Sequence, residues 1–110
     1  MKYITIKGEK LPFRIDPVYL EQFEEEHDVN FMDFDVRKVK MSKLLQFIYI
    51  CIIKGIGTHN KRVEDDDDKI RIQTMEELYE DMDVGDIMEA FGQVTDAMSN
   101  KPKKKKSTTG

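Results

Sequence analysis

Cysteine occurs once in this chain, as Cys51, so no intramolecular disulfide can form and nothing suggests a secreted, oxidised scaffold. Histidine occurs twice, at His27 and His59. Neither has a second histidine or a cysteine at metal-ligand spacing. No glycine-rich phosphate loop, nucleophile elbow or paired-carboxylate signature is present. The longest apolar run, Leu44 to Ile53, is interrupted by Gln46 and is about half the length a membrane-spanning helix needs. The opening MKYITIKGEK alternates apolar and polar residues without the apolar core of a signal peptide. These absences lead to the expectation of a cytoplasmic, non-enzymatic protein without metal, cofactor or membrane contact.

Charge is what the sequence has in quantity. Of 110 residues, 36% are charged and the formal net charge is −4, a figure that conceals an uneven distribution. Lys101, Lys103, Lys104, Lys105 and Lys106 fall in the last ten residues, which contain no acid. The first hundred residues therefore hold 13 basic and 22 acidic side chains, an excess of nine acids. Such a body repels nucleic-acid phosphates and anionic lipid, so only the tail could attract them. The length allows one domain with one core.

The pattern of residues predicts an α+β domain, mostly α, over residues 1–99. Tyr3 to Ile6 and Leu11 to Ile15, around Lys7-Gly8-Glu9-Lys10, read as a β-hairpin over 3–15. Pro12 belongs at an edge of it, with its nitrogen turned away from the partner strand. Asp16-Pro17 is a carboxylate cap followed by proline at the first helical position, opening a helix over about 17–28. Val18, Leu20, Phe23 and His27 lie on its inner side. Asn30 to Asp35 is apolar without periodicity and reads as a turn tucked on the core. Met41, Leu44, Leu45, Ile48, Tyr49, Ile52 and Ile53 then recur at i, i+3, i+4 spacing, giving a buried helix over 41–54. Gly55 and Gly57 are expected to stop it.

Residues 58–69 read as an acidic loop, with Ile70 and Ile72 following as a short strand or an apolar latch. Thr74 and Glu77 form a capping-box pattern that opens a helix over 75–81. Asp83 caps a last helix over 84–99, with Val84, Ile87, Met88, Phe91, Val94 and Met98 at helical spacing. Residues 100–110 contain no large apolar side chain and are expected to be a disordered lysine-rich tail.

Each candidate for chemistry has a plainer explanation beside it. Glu64 to Asp68 could attract a divalent cation, but calcium loops alternate their ligands and turn on a glycine. A solvated loop fits better, with loose cation contact as the alternative. Cys51 sits among isoleucines, whereas a reactive thiolate needs a basic, partly exposed setting. Met75, Met82, Met88 and Met98 crowd the C-terminal helices, where methionine either fills core gaps or adapts to partners. Phe31, Met32, Phe34, Met88, Phe91 and Met98 are the candidate partner-binding residues, and core packing accounts for them equally well. The tail is either a weak, salt-sensitive nucleic-acid patch or a solubilising end.

Taken in order, these elements resemble the tail assembly chaperones of long-tailed, siphovirus-type bacteriophages. The likeness rests on the hairpin Tyr3 to Ile15 and the glutamate-rich Tyr19-Leu-Glu-Gln-Phe-Glu-Glu-Glu26. It continues with the apolar Leu44 to Gly55, and with Thr74 to Asp83 followed by Val84 to Met98. The acidic 58–72 stretch is longer than such chaperones lead one to expect. The resemblance implies a protein absent from the finished virion, which binds the tape measure protein, keeps it soluble and helps recruit tail tube subunits. It also implies a frameshift-extended second form. Lysine codons are A-rich, so Lys103, Lys104, Lys105 and Lys106 mark where a ribosome could slip. A small nucleic-acid-associated regulator using the tail, or a structural head–tail connector subunit, are the alternatives.

Overall fold

In the computed structural model, which describes residues 2–30 and 38–99, strands β1 (Lys2–Ile6) and β2 (Glu9–Phe13) pair antiparallel. The turn is only Lys7-Gly8, shorter than the four residues the sequence suggests. Both have positive φ, 53° and 80°, the backbone a two-residue hairpin turn requires. Glu9 and Lys10 are thereby free to join β2. From the closing pair Ile6↔Glu9, the alternation of the ladder makes Thr5↔Lys10 and Tyr3↔Pro12 non-hydrogen-bonded pairs. The nitrogen of Pro12 thus faces away from β1, as expected, and no ladder bond is lost. Ile4, Ile6, Leu11 and Phe13 share one face, and all four are buried.

Among the described residues four helices follow the hairpin, and the domain is α+β, mostly α. Helix α1 (Pro17–His27) starts at Asp16, whose carboxylate accepts from the amides of Val18 (2.8 Å) and Tyr19 (3.4 Å). These bonds, with the Lys54 ammonium at 3.3 Å, hold the Asp16 carboxyl below its ordinary range. The inner stripe of α1 departs from expectation. Val18 is exposed, and Tyr19 takes its place, stacking on Phe47 at a 5.4 Å centroid separation. Phe23 packs on the same ring at 4.8 Å.

Helix α2 (Met41–Arg62) corrects the expected end near residue 54, running two further turns through Gly55 and Gly57. Gly55 is not a terminator but a notch. A Cβ there would fall inside the backbone of Pro12 and Phe13, which cross the helix at that point. The amide of Arg14 donates to Cys51 O at 2.9 Å one turn earlier. At 22 residues α2 is long and apolar enough to cross a membrane by length and composition alone. In this fold Leu44, Phe47, Ile48, Cys51, Ile52 and Ile56 are buried in the core instead.

The residues after α2 contain a 3₁₀ turn at Asp66–Asp68, followed by chain without a strand. Ile70 is half-buried against the core and serves as the latch, whereas Ile72 is exposed. Helix α3 (Met75–Tyr79) is two residues shorter than expected, since the chain turns at Asp81 with φ 69°. Its capping box is present, with Glu77 N donating to Thr74 Oγ1 at 3.1 Å and Thr74 N to Glu77 Oε1 at 2.9 Å. Helix α4 (Val84–Ser99) begins with a reciprocal cap between Asp83 and Asp86. It buries Ile87, Ala90, Phe91 and Val94, while Val84 is exposed. The layers follow from these contacts: α2 lies against β2, α4 against β1, and the two helices touch each other.

Candidate interaction surface

Two side-chain amides act as extra ladder partners. Thr5 turns its backbone away from β2, and Gln93 of α4 answers it: Thr5 N–H donates to Gln93 Oε1 (2.9 Å) and Gln93 Nε2 donates to Thr5 O (3.0 Å). The open edge of the hairpin is thereby occupied. Asn60 does the same for Ile70, at 2.9 and 3.0 Å, and fastens the acidic loop to the last turn of α2. His59 Nε2 donates to Asp68 O at 2.9 Å, and Tyr49 Oη to Gln73 O at 2.7 Å. His59 therefore has a positioning role. Its ring bonds a backbone carbonyl, and among the described residues no group of three or more His, Cys, Asp or Glu could hold a metal ion.

Cys51 is 1% exposed, and burial pushes its thiol from the ordinary 9.0 to about 12. Tyr79 is likewise shifted upward by burial, and its hydroxyl donates to Leu45 O at 2.6 Å. These are inert, packed groups rather than nucleophiles.

Of the six candidate partner-binding residues, two have side chains among the described ones. Phe91 is buried in the core, and Met88 is half-buried beside it. Phe31, Met32, Phe34 and the side chain of Met98 lie outside the described residues, as do Lys103, Lys104, Lys105 and Lys106. Helical spacing identifies the inward face of α4 but cannot separate a residue that seals the core from one that greets a partner. The exposed large apolar residues among the described ones, Tyr3, Val18, Ile72, Met75 and Val84, are scattered over different parts of the fold.

A surface the sequence did not suggest is an open cleft of about 550 Å³ between the hairpin, α2 and α4. Lys2, Arg14 and Arg62 rim it, and Phe13, Ile15, Thr58 and Ala97 form its floor and walls. The three cations are exposed and make no ion pair among the described residues. Positions 2, 14 and 62 are distant in sequence. Thr58 and Arg62 form a wall only because α2 continues past its two glycines.

In comparisons with protein-family models, curated proteins and solved structures, nothing matches this chain.

Proposed function

We propose that this chain is a phage tail assembly chaperone, which binds the tape measure protein, keeps it soluble and helps recruit tail tube subunits. The observation that carries the reading is the order of elements. A hairpin, an acidic helix, a long apolar central helix and a terminal helix pair follow one another, as in the resemblance drawn from the sequence. The charge of the body supports it, since an excess of nine acids keeps copies of a masking protein apart while they cover apolar stripes on a partner. The role is binding, in the host cytoplasm, with no catalytic step. Lys103 to Lys106 mark the site of a programmed frameshift. A gene with no slippery run at those codons and no overlapping downstream frame would remove that part of the proposal.

Recovery from infected cells tests the proposal. The tagged chain is expected to bring down the tape measure protein and tube subunits, and to be missing from purified particles. Stoichiometric presence in particles would instead favour a head–tail connector subunit. Binding to mixed nucleic acid at low salt that survives removal of residues 101–110 would favour a nucleic-acid regulator.

A further inference from the structure

We infer that the cleft rimmed by Lys2, Arg14 and Arg62 is a docking site for an acidic, amphipathic segment of a protein partner. This deepens the chaperone reading and rests on it, by naming which surface grips the partner and which chemistry it selects.

Charge carries the first half of the argument. Even in a body with 13 bases against 22 acids, ion pairs are few among the described residues. Lys54 pairs with Asp16, Lys69 with Asp66 and Arg71 with Glu77. Other exposed cations, Lys10 and Lys61 among them, are also without an ion pair among the described residues; Lys2, Arg14 and Arg62 differ in converging on one cleft, whose described lining contains no acid. Three like charges held around one opening repel each other, and an anion placed between them relieves that repulsion. The guanidinium groups of Arg14 and Arg62 can each present a two-pronged donor set to a carboxylate.

The floor carries the second half. Ile15 and Ala97 are half-buried, and with the edge of Phe13 they give the cleft an apolar base. A lone inorganic anion would leave that base uncovered. A helix with carboxylates on one side and aliphatic residues on the other satisfies both parts. A polynucleotide fits poorly. Phe13 is 2% exposed and offers no ring face for stacking, and a body with an excess of nine acids repels a long polyanion. A short acidic segment confined to the cleft largely avoids that repulsion.

The test uses the full chain and a fluorescent amphipathic peptide of about 15 residues, long enough for a marginal helix, with leucine and glutamate at helical spacing. Anisotropy is read against the lysine counterpart of the peptide and against oligothymidylate. The glutamate peptide is expected to bind, more weakly as salt rises. Arg14→Glu with Arg62→Glu should weaken it about tenfold or more, since like charges then face each other. Lys10→Glu with Lys61→Glu, an equal charge change on exposed residues outside the cleft, should change it by about twofold at most. All four side chains are exposed, and an unchanged melting temperature verifies that the variants fold. Equal binding of the two peptides, or no effect of the Arg14/Arg62 pair, overturns the inference. Tighter binding of oligothymidylate, lost in that same pair, reassigns the cleft to nucleic acid and also overturns it. Failure here is separable from failure of the chaperone reading. If the Arg14/Arg62 variant still keeps the tape measure protein soluble, the chaperone stands and the cleft does not. If the peptide result holds but the wild-type chain never solubilises that protein, the cleft stands and the chaperone does not.

Discussion

Gly55 lies directly beneath the backbone of Phe13, where strand β2 crosses helix α2 with no room for a side chain between them. The hairpin is seated on the central helix through this contact and through the Arg14 N–H to Cys51 O bond beside it. Gly55→Ala must push strand and helix backbones apart, and should cost about 3 kcal/mol. Gly57, two residues on, has nothing within 4 Å of where a Cβ would stand. Gly57→Ala should therefore stabilise by about 1 kcal/mol, through helix propensity. Urea denaturation of the two variants checks both signs.

The same contact explains how far the sequence could be read. The hairpin, both acidic caps and the onset of each helix were legible, because turn residues, Asp16-Pro17, Thr74/Glu77 and Asp83 act locally. The end of α2 was not. A glycine after an apolar helix signals a stop when only local preference is considered, yet here it provides clearance for a strand some 40 positions earlier. The cleft was hidden for the same reason, since Thr58 and Arg62 belong to the unforeseen turns. Tyr19 took the inner place expected of Val18 because the few apolar residues of a short helix leave its rotation to whichever ring meets Phe47.

Gln93→Ala removes both bonds to Thr5 and exposes the edge of β1. Loss of about 1–2 kcal/mol is expected, with faster hydrogen exchange at the Thr5 amide. Asn60→Ala should behave alike at Ile70, releasing the acidic loop to proteolysis while leaving Thr5 protected. If exchange at the two amides rises together in either variant, the two clasps are not independent.

The Cys51 thiol should be silent toward a disulfide reagent at neutral pH and react only as the chain unfolds. Its pKa is raised in the folded chain, so its contribution to stability is complete below about pH 9. That contribution is lost as pH rises toward about 12. The slope can reach about 1.4 kcal/mol per pH unit over that interval. Cys51→Ala should flatten part of the alkaline decline, and the upward-shifted Tyr79 should keep the remainder. Denaturation at pH 7 and pH 10 for both proteins measures the difference.

Phe91→Ala is expected to lower stability by about 3–5 kcal/mol, as for any large residue removed from a packed core. Partner binding lost in this variant should return when the folded fraction is restored by lower temperature. Binding that stays lost in a fully folded Phe91→Ala protein would place the ring on the interface after all.

Co-expression tests the proposal that this chain keeps a tape measure protein soluble. The tape measure protein is produced with increasing doses of the chain, and its soluble fraction is followed. The fraction is expected to rise with dose, and the two proteins to co-elute. A tape measure protein that stays insoluble at every dose, beside abundant folded chain, would contradict it.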